Sequence, residues 1–439
     1  MSNTMSKKQS RRATWGWALW DWAEQPYPTL MQTFIFPVYL TGAVAAGNKS
    51  ADQQLGWAVA IAGLILALIA PVLGRRADET GRRKRWLLIN TGILVLVTAA
   101  SFFVEPKPEY FLFGLVLYGI GSVIQESAFI NYYAMLKGVT TEKNIGRISG
   151  MAWGLGYVGG IILLLISLVG FVLPDGHYWL GLTDENAINI RTIFLFAAAW
   201  ILVFTIPMLL WVPEVKAREG VKAEGVIQSY RTLFKQLRTL RTQAPETFKF
   251  LISSAIYRDG LAGIFTFGAV LGQISFGFTT QSIIFYGIGA NLVAAIGAAI
   301  GGWLDDKIGS RNVIAGSLAG LIIGAAAVYI FRDAGQITFW IFGLILTLFV
   351  GPAQASSRTF VARFTPHGRE GEVFGLYQTT GRAISFLSGS MWALSIWAAN
   401  SILGDGNNTI YGIWGILLIL IVGLFLLMRV HPRPAVIEG

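Results

Sequence analysis

The chain has 439 residues, 54% hydrophobic and 13% charged, with 34 Lys and Arg against 24 Asp and Glu and a mean hydropathy of +0.58. Soluble domains carry about a quarter charged residues, so this composition excludes them and leaves a polytopic membrane protein. The net charge of +10 does not make nucleic acid a partner: the basic residues cluster beside apolar runs, where they set topology and meet anionic lipid heads. Cysteine is absent, which excludes thiol catalysis, disulfides and thiolate metal sites. His177, His367 and His431 have no paired spacing for zinc, so no metal or cofactor is expected.

The first residues carry Lys7, Lys8, Arg11 and Arg12, which predicts a cytoplasmic N-terminus. The first apolar span, about Thr14–Gly42, contains Trp20-Asp21-Trp22-Ala23-Glu24-Gln25-Pro26-Tyr27-Pro28. Two prolines so close remove backbone donors, and the reading predicts no regular helix through Asp21–Glu24. Five further spans follow near 54–73, 86–104, 110–136, 145–172 and 190–212, each close to the ~20 residues that cross a bilayer. Gly146, Gly150, Gly154, Gly156 and Gly160 form small-residue faces suited to close helix packing. Residues 213–246 are polar and basic, with Tyr230, Leu233, Phe234, Leu237 and Leu240 at helical spacing, and read as an amphipathic helix tethering two halves. Six more spans follow near 248–271, 281–304, 313–331, 337–364, 373–399 and 410–428.

Between spans two and three the chain reads Gly74-x-x-x-Asp78-x-x-Gly81-Arg82-Arg83, and the skeleton returns as Gly302, Asp306, Gly309 and Arg311. Asp306 minus Asp78 and Gly309 minus Gly81 are both 228. Gln125, Gly146 and Gly160 match Gln354, Gly375 and Gly389 at a separation of 229. An ordinary basic stop-transfer loop would account for one copy; two copies in register indicate duplication. The expected fold is all-α, about twelve transmembrane helices in two pseudo-symmetric six-helix bundles, residues 1–212 and 247–439. Basic residues concentrate in alternate loops, which predicts both termini in the cytoplasm; the expected location is a bacterial cytoplasmic membrane.

The Gly74–Arg83 loop resembles the signature loop of the major facilitator superfamily. Within it, Gly146-Arg147-Ile148-Ser149-Gly150-Met151-Ala152-Trp153-Gly154, Trp20-Asp21-Trp22-Ala23, Tyr133-Ala134-Met135-Leu136, Gln354-Ala355-Ser356-Ser357-Arg358 and Phe374-Gly375-Leu376-Tyr377 resemble the autophagy-related vacuolar effluxer-like family. That resemblance implies alternating-access transport, with amino-acid efflux from the vacuole attributed to fungal members. Family members commonly have Asn-Ser at Glu24-Gln25, Asn at Tyr133 and Lys at Arg382; these departures leave a different substrate or coupling ion open.

Ionisable residues in a span cost roughly 2.5–3.5 kcal/mol each, so each is a functional candidate. Asp21 and Glu24, three apart, share a helix face if the helix survives the prolines, and paired carboxylates suit a proton relay; a helix cap at Asp21 is the plainer alternative. Gln125, Glu126 and Tyr133 lie in span four. In the second half, Arg258 is a candidate clamp for a carboxylate or phosphate, with Asp259 as its plain neutraliser. Arg382 is expected in the cavity, and Arg358 is read as pathway residue, gate or anchor. Gly74, Asp78, Gly81, Arg82, Asp306, Gly309 and Arg311 form the expected conformational gate. Asp78 is expected at the helix start near 371–374 and Asp306 at the one near 144–147, each worth roughly 0.3–1 kcal/mol. Acids in one half and guanidinium groups in the other suggest a small zwitterionic or anionic solute; with the transport that the resemblance implies, the expected function is a proton-coupled secondary transporter working as an exporter, not an enzyme. Exporter of amphiphiles, membrane sensor and membrane-embedded enzyme are the alternatives; the last lacks any phosphate-loop, zinc-protease or serine-elbow motif. The expected partners are the small-molecule substrate and membrane lipids, with the protein acting as a monomer.

Overall fold

The computed structural model describes residues 7–48, 51–173, 177–214, 241–242, 244–278, 280–365, 369–404 and 408–431. The tether expected over residues 213–246 lies mostly outside the described residues. Among them, nine helices are long and apolar enough to cross a membrane, and a tenth, over 54–80, qualifies with a bend of 42°. Two more long segments, 7–44 and Pro245–Phe276, hold Asp21, Glu24, Arg258 and Asp259.

The long helices are α1 (Lys7–Glu24), α2 (Ala51–Thr80), α3 (Arg83–Ala100), α4 (Phe111–Val139), α5 (Ile145–Ser167), α6 (Ile188–Trp211), α7 (Pro245–Phe276), α8 (Thr280–Ile308), α9 (Ser310–Ile330), α10 (Leu344–Phe364), α11 (Glu370–Ala383), α12 (Leu387–Leu403) and α13 (Gly412–Met428). They form two compact units, residues 1–139 with 155–223 and residues 140–154 with 224–439. Helix α5 therefore gives its first turns to the second unit and its remainder to the first.

In the first unit α1 packs on α6, and α4 packs on α2 and α3. Contrary to the sequence expectation, α1 stays regular through Glu24, and the irregularity begins after it as π-helical turns over Tyr27–Phe34 and Leu40–Val44. A proline withdraws the hydrogen bond to the carbonyl four residues back and leaves the helix before it able to persist. Pro26 so frees the carbonyl of Trp22, which accepts from Trp200 Nε1 at 3.1 Å. The two indoles stack with centroids 5.3 Å apart. Below them Phe36 meets Phe194 edge to face, and Tyr39 donates to the carbonyl of Val104 at 2.7 Å.

In the second unit α10 packs on α8 and α9, and α13 packs on α7, α9 and α12. The sequence expectation of a loop from Gly74 to Arg83 is corrected. Helix α2 runs through Gly74 and Asp78 to Thr80, and α8 runs through Gly302 and Asp306 to Ile308. Gly81 and Gly309 alone turn the chain, at φ +60° and +84°, a region that suits residues without a Cβ. The start of α5 crosses α8 at backbone distance: a Cβ on Gly302 would lie 2.5 Å from the carbonyl of Gly146 and 2.9 Å from Gly150 Cα. Gly156 and Gly160, further along α5, face Gln25 and Thr29 of the first unit. Another difference lies in the span expected over 373–399, which is two helices, α11 and α12, separated at Ile384–Phe386.

Overpacking a close crossing costs about 1–3 kcal/mol. Gly302→Val is therefore expected to lower the thermal unfolding midpoint of the detergent-solubilised protein. Gly316→Val, where a Cβ meets nothing within 4 Å, is expected to leave it unchanged.

Candidate functional site

In the first unit the last turn of α1 carries Asp21 and Glu24, both buried. Gln125 of α4 donates through Nε2 to Glu24 Oε2 at 2.7 Å. Among the described residues no cation is paired with Glu24; its acidic neighbours are Asp21 and Glu126. The wall beside them is aromatic. Tyr132 stacks on Trp17 at 4.4 Å and lies 4.5 Å from Trp20. Trp20 in turn donates to Thr91 Oγ1 at 3.2 Å. Tyr133 stacks on Phe129 at 5.2 Å. The structure thus gathers Asp21, Glu24, Gln125 and Glu126 where α1 ends and meets α4, with Tyr133 two turns further along α4.

In the second unit Arg258 lies half-buried on α7. Its guanidinium donates to the Tyr377 carbonyl at 3.1 Å and to Gln378 Oε1 at 2.9 Å, and lies 3.9 Å from the centroid of the Tyr377 ring. Both hydrogen-bond acceptors are neutral. The expected neutraliser, Asp259, is committed elsewhere: its carboxylate accepts from the backbone N–H of Ser388 at 2.5 Å. Neighbouring residues on a helix diverge by about 100°, so the two side chains serve different helices. Tyr257 and Ser357 share a 2.6 Å hydrogen bond nearby. Arg382 is half-buried in the last turn of α11.

Arg358, fully buried, donates to Ser149 Oγ at 2.9 Å and to the Ser149 carbonyl at 2.7 Å, and lies 5.0 Å from the Trp153 ring centroid. Ser149 Oγ passes its own hydrogen to the Ala355 carbonyl at 2.9 Å. These bonds spend the guanidinium on the start of α5, so it anchors that helix.

At the repeated turns the two aspartates pair with different arginines. Asp78 is clasped by Arg83, Nε at 2.8 Å and Nη2 at 2.5 Å, and Arg83 also donates to the Ala134 carbonyl at 3.2 Å. Arg82, the expected gate cation, is exposed: with Gly81 turning the chain, Arg82 precedes α3 and Arg83 opens its buried face. Asp306 accepts from the backbone N–H groups of Gly146 and Arg147 at 2.7 and 2.8 Å, where the sequence put it. Its second partner, Arg363 Nη2 at 2.9 Å, went unrecognised. Arg363 Nη1 also reaches the buried carboxylate of Asp305 and Ser310 Oγ at 2.9 Å. Arg311 donates to the Met428 carbonyl at the end of α13 at 2.8 Å. Sequence reasoning missed Arg83, Asp305, Arg363 and Ser149. A signal for the first three was present, since each lies within five residues of a glycine turn or at the end of a span. Among the described residues no group of three or more His, Asp or Glu could hold a metal ion.

The family model described as "Vacuole effluxer Atg22 like" matches residues 137–436. The chain is 28% identical over 425 residues, 95% of each chain, to the uncharacterized MFS-type transporter YxiO of Bacillus subtilis. It is 20% identical over 440 residues to autophagy-related protein 22 of Eremothecium gossypii, covering 86% of this chain and 83% of that one. Among solved structures it is similar to the proton:xylose symporter XylE, with a TM-score of 0.70 over 96% of this chain and 95% of that one at 15% identity.

Removing one partner of a buried ion pair costs about 3–5 kcal/mol, because the other charge is stranded. Arg363→Leu is expected to destabilise the protein on that scale. The double variant Asp305→Asn/Arg363→Leu is expected to recover more than half of the loss in thermal unfolding, a non-additivity that independent sites would not show.

Proposed function

Because the chain belongs to the vacuole effluxer Atg22-like family of major facilitator transporters, we propose that it exports a small zwitterionic or anionic solute, of amino-acid-like size, by proton-linked alternating access. It is a multi-pass membrane transporter with the major facilitator fold, not an enzyme. The reading of its substrate rests on Arg258. A guanidinium in a membrane span is costly unless a charge or strong acceptors meet it, and among the described residues this one has neutral partners only. It therefore has an unspent charge to offer, in a planar fork that suits a carboxylate or phosphate. Tyr377, whose ring lies against the same guanidinium, supplies a flat apolar wall.

Proton linkage is supported by Glu24, a buried carboxyl whose described partner is one amide. Beside Asp21 and Glu126, with no cation paired to it among the described residues, it is the carboxyl proposed to exchange a proton during transport. Export is adopted from the description of the family model.

In a thermal-shift screen of the purified protein against L-amino acids, dicarboxylates, inorganic phosphate and lysolipids, at least one of the small anions or zwitterions is expected to stabilise it, since a ligand favours the state it binds. Arg258→Ala is expected to abolish that shift. Stabilisation by lysolipids alone would replace the solute reading with one of amphiphile export. In proteoliposomes, Glu24→Gln is expected to keep solute exchange and to lose uphill movement driven by a pH gradient; retained pH-driven accumulation would remove Glu24 from the coupling.

A further inference from the structure

The interruption between α11 and α12 is not a proline break. Residues 382–387 read Arg-Ala-Ile-Ser-Phe-Leu between Gly381 and Gly389, Ser385 Oγ bonds the Arg382 carbonyl at 3.0 Å, and breaks in helices are found at prolines, at Gly/Ser pairs or where a group inserts. The backbone bonds identify the inserted group. In an unbroken helix the N–H of Ser388 would donate to the carbonyl of Ile384. Here it donates to Asp259 Oδ2. The Ile384 carbonyl is taken one residue early, by the N–H of Leu387 at 3.0 Å, and Ser385 likewise bonds back three residues to Arg382. Ile384 itself sits at φ −117° and ψ 11°, outside helical values. Gly263, one turn beyond Asp259 on α7, leaves the room this requires: a Cβ there would lie 2.9 Å from Ser388 Cβ.

The residue before Asp259 holds the other side of the break. Arg258 grips Tyr377 and Gln378 of α11, and a Cβ on Gly381 would lie only 3.3 Å from Arg258 Nη1. Adjacent side chains of α7 thus hold the two helices on either side of the break, Asp259 at the start of α12, where the helix dipole favours an anion, and Arg258 at the middle of α11. We propose that Asp259 is a positioning residue: it imposes the break at Ile384–Phe386 by capturing the Ser388 amide. In doing so it sets α11, with Tyr377 and Gln378, around Arg258 independently of α12. The consequence for solute binding rests on the anion reading of Arg258 given above; the cause of the break does not.

The test is hydrogen–deuterium exchange of the full-length protein in lipid nanodiscs, without ligand. Asp259→Leu removes the acceptor and is expected to let the helix close, slowing exchange of the amides of 385–388 about tenfold while α11 and α12 elsewhere stay as they were. Ser388→Pro removes the captured amide and, within the first turn of α12, is compatible with helix. It is expected to fold with the break intact. The double variant Asp259→Leu/Ser388→Pro is expected to return exchange at 385–387 to the wild-type rate, a rescue that a merely structural aspartate would not show. Unchanged exchange in Asp259→Leu, faster exchange along all of 370–403, or failure of the double variant to restore the rate would each overturn the proposal. Asp259→Leu, but not Ser388→Pro, should also weaken any thermal shift found among L-amino acids, dicarboxylates and phosphate. If the exchange results hold and no member of that panel acts through Arg258, the anion reading falls and the assignment of the break to Asp259 stands.

Discussion

An ion removed from water must be met by another charge, by a helix end or by several hydrogen bonds, or it must give up its charge. Much of the polar architecture of this chain follows from that rule. Asp78 is met by Arg83, Asp306 by Arg363 and two backbone N–H groups, Asp305 by Arg363, and Arg358 by both oxygens of Ser149. Asp259 is met by the start of α12. Against that background the exceptions carry information. Glu24 faces an amide and Arg258 faces neutral oxygens, and these are the two groups on which the proposed transport rests.

Duplication has preserved the turn and diversified its fastening. Gly81 and Gly309 turn the chain with the same sign of φ. At both turns a cation opening the next helix reaches the last carbonyls of the unit's final helix: Lys84 bonds Val212 at 2.6 Å and Arg311 bonds Met428 at 2.8 Å. Each places positive charge where the helix dipole is negative. The aspartates diverge. Asp78 takes its cation from five residues ahead, whereas Asp306 takes one from α10, 57 residues away.

Much of this was legible in the sequence, for reasons that differ by feature. Apolar runs and basic loops are the direct imprint of the bilayer, so the spans and the repeat could be read from composition and spacing. Asp306 could be placed at the start of α5 because a helix start offers unpaired N–H groups to a carboxylate. Arg82 and Arg83 could not be told apart, since one residue of helical rotation separates the exposed side chain from the buried one. The persistence of α1 through Glu24 was misjudged because proline acts on the carbonyl behind it, and Trp200, 178 residues away, satisfies that carbonyl. The break at 384–386 could not be read ahead: no proline marks it, and the carboxylate proposed to impose it lies on α7.

The crossing of α5 on α8 is made of main chain, with Gly146 and Gly150 against Gly302. Contacts between side chains can drift through sequences of similar volume, but a seam without side chains has no intermediate forms. The smallest possible addition, a methyl group, already collides. Any side chain added to that trio therefore costs stability unless both helices shift together.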